Sequence, residues 1–361
     1  MIYFFKQSKL IQFNKEKTTF IGDVITQPGY YWCKAFDSET IRLSCLKQFG
    51  FPKITFEKSI PDKFPEMGIL ELKNAFIFGE NGWIINEHGY WLPEFSWYGE
   101  NYNEVSTDHK TGNFKKLKGT GLLLCSDWSY KNYCHFLLDA IGRYEIFRKA
   151  GYSIDDVDYI YCPGPNSNTK HLMEKLGIPI HKCIIPESEI SFKFDRFIIP
   201  SFPGVRRVYP KWLVTFLKKE FTDISSIKDR RLYIPRSKSR KISNEYELIP
   251  ILKKYNFEIF DPADHVNAPS FFSEASMVVG AHGAALANLA FCQPGTKVLE
   301  LMPSDHIFPY YYSLSCAADL DYHLMIGKSE VERPEPKIGK SPYNFFIDVD
   351  MFENALSEIL L

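Results

Sequence analysis

The stretch MVVGAHGAALANLAFCQPGTKVLEL, from Met277 to Leu301, constrains the fold more than any other part of the chain. It reads as a buried strand, a glycine turn, a helix and a second strand. Met277, Val278 and Val279 form a short apolar run that stops at Gly280. A helix can begin near Gly283, where a missing Cβ lets a ligand phosphate approach backbone N–H groups. Pro294 and Gly295 break that helix, and Lys297 to Leu299 give the next strand. Glu300 then falls at the strand's carboxyl end, where α/β sheets bind ligands and a carboxylate can hold ribose hydroxyls. The unit is one that handles a nucleotide. Its glycine order is not the G-x-G-x-x-G of a dinucleotide fingerprint, because His282 stands inside the turn.

With 361 residues the chain fits two domains, and apolar residues at 45% with aromatics at 16% suffice for two cores. A net charge of −1 leaves no global basic field, so nucleic acid is not an expected partner and any anion site must be local. The opening MIYFFKQSKLIQFNKEK places lysines after a very short apolar run, unlike a signal peptide or a membrane span, which points to a cytoplasmic chain. The eight cysteines include no C-x-x-C pair and no zinc-like spacing to histidine, so free thiols are expected.

Up to about Gly119 the sequence carries short aromatic and β-branched runs, with Asn81-Gly82 a strong hairpin signal. Strands and helices alternate from there: GLLLCS, a helix over about 133–150, DYIYC, NTKHLMEKLG, KCIIP and FDRFIIP. This is the βαβ order of a parallel sheet. Proline and glycine interrupt it around 200–210, after which WLVTFLKKEF, RRLYIPRS, ELIPILKKYN and FEIFDP resume the alternation. The expected organisation is an acceptor-side domain over 1–204 (β-rich to 118, Rossmann-like over 119–204), a nucleotide-binding Rossmann-like domain over 205–330, and a linker with a terminal helix over 331–361. Two such α/β domains facing a cleft suit an enzyme that takes a nucleotide on one side and an acceptor on the other.

Three further features bear on chemistry. RRLYIPRSKSRKISNE sets Arg236 just past a strand end with Lys238, Arg240 and Lys241 behind it. Guanidinium groups match phosphate oxygens, so Arg236, Arg240 and the Gly283 helix start form a candidate diphosphate cradle, while the two lysines read as a solvated loop and Glu245 opens the next helix. In CSDWSYKNYCHFLLDAIGRYEIF, His135, Asp139 and Arg143 are spaced by four and share a helical face, as a base with its orienting carboxylate or as a structural ladder. Asp-x-Asp pairs at 156, 319 and 348 read as local punctuation, not as metal ligands.

Three blocks, NYCHFLLDAIGRY, LYIPRSKSRKISNE and VVGAHGAALANLAFCQPGTKVLELMP, together resemble glycosyltransferase family 61, which includes bacterial capsular-polysaccharide transferases and eukaryotic O-linked GlcNAc and xylan-type transferases. The resemblance covers roughly 119–303. It implies a GT-B arrangement and an inverting, generally metal-independent transfer from a nucleotide sugar, with no cofactor. By position, Arg236, Arg240, Glu245, His282, Gly283, Ala284, Asn288 and Glu300 would serve the donor, and His135, Asp139 and Arg143 would face the reacting centre. One departure is the plain PSFFSEAS before the HGA turn, where many members have a glutamine.

The expected acceptor is a saccharide or glycolipid hydroxyl, as in capsule or cell-surface polysaccharide, and a lipid-linked acceptor would bring the enzyme to the inner face of the membrane. Either His135 or Asp139 would take the proton. Two alternatives use the same residues differently: a nicotinamide-dependent enzyme would use the glycine turn with Glu300, and a non-catalytic carbohydrate- or partner-binding protein would use the aromatics of WLPEFSWYG at Trp91 to Gly99.

Overall fold

The computed structural model describes residues 22, 29–50, 53–56, 58–96, 114–164, 169–186, 190–223, 227–262, 265, 267–331 and 342–361. They form two compact units that do not follow one another along the chain. The first comprises residues 1–40 and 63–207, and the second comprises 41–62 and 208–361. Residues 41–62 therefore belong with the C-terminal part of the sequence, which the expected boundary near 204 does not anticipate. Residues 342–361 likewise build into the second unit and are not an appendage.

In the first unit the strands of the main sheet are β1 (Tyr30–Phe36), β2 (Met67–Lys73), β3 (Phe76–Phe78), β4 (Trp83–Ile85), β5 (Phe114–Leu123), β6 (Tyr159–Tyr161), β7 (Cys183–Ile184) and β8 (Ser191–Pro200), and Glu39–Thr40 pairs with Lys63–Phe64 apart from it. They join one sheet in the order β1-β2-β8-β5-β6-β7, with β3 pairing β8 and β4. The half from β8 through β5 and β6 to β7 is parallel, and the β1-β2-β8 half is antiparallel. β3 and β4 make the hairpin that Asn81-Gly82 signals. Gly79 and Gly82 both take φ +70, and the Gly82 amide closes the turn on the Gly79 carbonyl at 3.1 Å. Leu70, Leu72, Ile77, Ile84, Leu123, Phe194 and Phe197 lie in its core. Trp91 and Phe95 are buried as well, so they form no stacking surface for a sugar. Trp97 to Gly99 fall outside the described residues.

The second unit has the strands β9 (Arg230–Ile234), β10 (Glu258–Ile259), β11 (Ala275–Ala281), β12 (Lys297–Pro303), β13 (Asp321–Ser329) and β14 (Phe345–Phe346). Their order is β10-β9-β11-β12-β13-β14, and all pairs are parallel except β13 with β14. The near-continuous apolar runs of β11 and β12 are what a strand covered on both faces requires. One face is covered by α1 (Glu245–Lys254) and α2 (Val349–Leu360), whose Leu248, Leu252, Phe352 and Leu356 share a core with Tyr233, Val279, Leu299 and Met325. Asp348 starts α2 by accepting from the Met351 amide at 2.8 Å. The short strand Lys47–Phe49 adds to β13 in parallel, and Lys47 pairs with Asp321 at 2.8 Å.

Candidate active site

Counted along the second unit, the sheet runs 2-1-3-4-5-6. Its direction of growth reverses between β9 and β11. In open parallel sheets ligands bind at the carboxyl ends of the strands flanking such a reversal. The residues leaving β9 include Arg236 and Arg240, and those leaving β11 are His282 and Gly283, so the topology brings the two sequence-predicted motifs to one place.

Their contact is direct. A Cβ built on Gly283 would lie 1.8 Å from a terminal nitrogen of Arg236, so only glycine leaves this guanidinium where it is. Arg236 donates through Nε to the Ser239 carbonyl at 2.5 Å, which fixes the plane of its fork. Burial, with Arg240 beside it, holds Arg236 down at about 10. Burial also lowers Arg240, against the pull of Tyr311 and Asp305, and Arg240 sits in the left-handed region at φ 59. Among the described residues no carboxylate forms an ion pair with Arg236. Two partly buried guanidinium groups that repel one another are thus held side by side, the charge arrangement that a multivalent anion would complement.

His282 accompanies them. Its Nδ1 meets Glu300 Oε1 at 2.5 Å, and Glu300 Oε2 accepts from the Tyr322 hydroxyl at 2.5 Å. The Glu300 side chain is wholly buried, and β12 runs on three residues past it. This corrects the expected role of Glu300: it orients an imidazole from within the sheet and is not open to ribose hydroxyls. With Nδ1 engaged, Nε2 is the His282 nitrogen left for a ligand. Rings of His306, Phe308, Tyr310 and Tyr311 surround His282 at 5.1 to 6.3 Å between centroids.

The other predicted donor residues are more structural. Ala284 opens the expected helix, which winds as a 3₁₀ helix over Ala284–Phe291. Asn288 is fully buried and donates to the Ala285 carbonyl at 2.8 Å. Glu245 accepts from the Tyr233 hydroxyl at 2.6 Å, bracing α1 on β9.

In the first unit the predicted helix begins with Tyr133–His135, capped by Asn132, passes through a π-helical turn at Phe136–Ala140 and continues as Ile141–Lys149. Such π turns recur at functional sites. His135 Nδ1 lies 2.9 Å from Asp139 Oδ2, which also accepts from Ser126 Oγ at 3.2 Å. The His135 side chain is 12% exposed and that of Asp139 is 0% exposed, so only the imidazole can reach a ligand. Arg143 does not join them as expected at a reacting centre. It is fully buried, gives its two terminal nitrogens to the carbonyls of Cys125 and Phe95 at 2.6 Å each, and lies 4.3 Å from the Phe202 ring. Its work is to tie the helix to the strand end.

Two residues absent from the sequence-level site complete this cluster. Asp127, on the turn that follows β5, is wholly buried and accepts from Arg207 at 2.6 Å. Burial raises its carboxyl, which Arg207 and then His135 pull down and Asp139 pushes up. No local periodicity marks a pair 80 residues apart; the sole signal is the position of Asp127 just past a strand end.

A parallel sheet with two arginines at its reversal point makes the second unit an α/β unit with cationic groups at its strand ends. Residues 133–299 match the model of the family described as Glycosyltransferase 61. The resemblance drawn from the three sequence blocks is thereby borne out. A stretch of 52 residues is 46% identical to the beta-1,2-xylosyltransferase RCN11 of Oryza sativa subsp. japonica, amounting to 14% of this chain and 10% of that protein. The chain thus matches about a tenth of the length of that curated relative.

Proposed function

We propose that the protein is an inverting glycosyltransferase that moves a sugar from a nucleotide-sugar donor to a saccharide hydroxyl, with its two units as the halves of a GT-B fold. The observation that carries this reading is the Arg236 and Arg240 pair beside Gly283 at the reversal point of the second sheet. There the diphosphate accumulates negative charge as it leaves, and the fixed guanidinium groups stabilise it without needing a metal. With its Nδ1–H given to Glu300, His282 accepts at Nε2 from a hydroxyl of the donor.

His135 is the base in this reading. It removes the acceptor proton through Nε2 while the acceptor oxygen bonds to the anomeric carbon from the face opposite the nucleotide, and the carbon–oxygen bond to the diphosphate breaks. Asp139, buried and bound to Nδ1, holds the ring and stabilises the imidazolium. The burial of Glu300 counts against a nicotinamide enzyme, which needs that carboxylate for a ribose, and the burial of Trp91 and Phe95 counts against a sugar-stacking module. The domain match supports transferase chemistry, and the beta-1,2-xylosyltransferase name of the relative suggests a pentose among the donor sugars to try. A cytoplasmic location, next to the membrane when the acceptor is lipid-linked, belongs to the same proposal.

Calorimetric binding of UDP, GDP, CMP, NAD and NADP to the wild type and to Arg236→Ala tests it. One of the first three should bind selectively, and the variant should lose roughly 10- to 100-fold in affinity. Binding of NAD or NADP alone, or binding unchanged in the variant, overturns it.

A further inference from the structure

The sequence turns aromatic just past β12. SDHIFPYYYS, from Ser304 to Ser313, leaves that strand at its carboxyl end, the same end of the sheet from which the loops carrying Arg236 and His282 depart. The loop is anchored along its length. The Ser304 amide donates to the Gly327 carbonyl at 2.9 Å, the His306 amide to the Pro303 carbonyl at 3.1 Å, and the Ser313 amide to the Pro309 carbonyl at 2.9 Å, where the helix Tyr310–Ala317 begins. Pro309 restricts the backbone between Phe308 and Tyr310.

The rings of this loop divide into two sets. His306, Tyr311 and Tyr312 are buried, and Tyr312 packs on Phe56 and Tyr322. Phe308 and Tyr310 are only half-buried. They stack on one another at 5.0 Å between centroids and 20° between planes, and they stand 6.1 and 6.3 Å from the His282 ring. Rings so placed offer a flat apolar face at the strand ends, where open parallel sheets bind ligands.

Three kinds of group thus adjoin one another. Arg236 occupies the space that a side chain on Gly283 would take. The imidazole of His282, the preceding residue, has Nδ1 held by Glu300 and Nε2 as an acceptor. Phe308 and Tyr310 stand against that imidazole. Guanidinium, hydroxyl acceptor and aromatic face complement, in that order, the diphosphate, ribose and base of a nucleotide.

We infer that Phe308 and Tyr310 form the stacking surface for the base of a nucleoside diphosphate, with a ribose hydroxyl donating to His282 Nε2. The inference rests on the reading of the Arg236 site as one for a nucleotide-sugar donor. Stacking accepts any planar base, so the two rings supply the preference for a nucleotide over a bare diphosphate.

The test is calorimetry of the full-length protein with UDP, GDP and inorganic pyrophosphate. The wild type should bind UDP or GDP more tightly than pyrophosphate. Phe308→Leu and Tyr310→Leu keep apolar bulk and remove a ring; each should weaken that nucleotide roughly 10-fold and leave pyrophosphate unchanged. Unchanged nucleotide affinity in folded variants overturns the inference, as would follow if the rings carried the transferred sugar instead. An equal loss for pyrophosphate overturns it too, since the rings would then shape the phosphate site. Should neither variant fold, transferred Overhauser effects from aromatic-ring protons to the base protons of UDP or GDP on the wild type decide it, and their absence sinks it. The two readings fail apart. Binding that Arg236→Ala leaves unmoved removes the donor-site reading and this inference with it, whereas an Arg236-dependent site that holds nucleotide no tighter than pyrophosphate removes the stacking surface alone.

Discussion

Arg236 carries a charge that the protein on its own does not want. A cation whose folded pKa lies below its unfolded value loses stability by staying protonated, so below pH about 10 the apo protein bears that cost in full. The cost is relieved as pH rises through this value, or when an anion arrives. Arg236→Ala should therefore melt no lower than the wild type without ligand, and the order should reverse when saturating nucleoside diphosphate is added. A variant that melts lower in both conditions would make Arg236 a structural residue. At this scale the arginines, Gly283, His282 and His135 were legible, because each follows a strand end or repeats at helical spacing. Glu300 was misread, since a sequence shows neither how far a strand continues nor which hydroxyl crosses to meet it. Asp127 and Arg207 were missed because only the folded chain makes them neighbours.

Elements explain Arg143. Three residues spaced by four suggest one functional stripe, yet the π-helical turn at Phe136–Ala140 alters the winding between His135 and Arg143. The guanidinium is left buried against carbonyls at the end of the Phe95 helical turn and at Cys125, just beyond β5. Arg143→Met leaves both carbonyls without these donors, and should cost about 2 to 4 kcal/mol in denaturant unfolding with nucleoside-diphosphate affinity preserved. Full stability with loss of turnover alone would return Arg143 to the reacting centre. The order of strands and helices was readable from periodicity, as was the β3–β4 hairpin. The helix type at Ala284–Phe291 was not, because α and 3₁₀ windings draw on the same apolar residues.

At the scale of the molecule, no composition shift signals that residues 41–62 belong to the second unit. The link is tertiary: the Tyr312 hydroxyl donates to the Ser44 carbonyl, Phe56 stacks on Tyr312 at 5.5 Å, and Phe49 packs against the core beneath β13. A fragment of residues 208–361 should lack a cooperative melt, and fusing residues 41–62 to it should restore one; a sharp transition in the bare fragment would show that the segment is dispensable. The pairing of Lys47 with Asp321 spans 274 residues, which a ribosome takes roughly 14 to 55 s to add. During that interval the short strand Lys47–Phe49 lacks the strand it pairs with, and closing so long a loop is slow. Here the nascent chain is most exposed to chaperones and to mispairing, so slower elongation past residue 320 should change the yield of folded protein more than the same pause placed earlier.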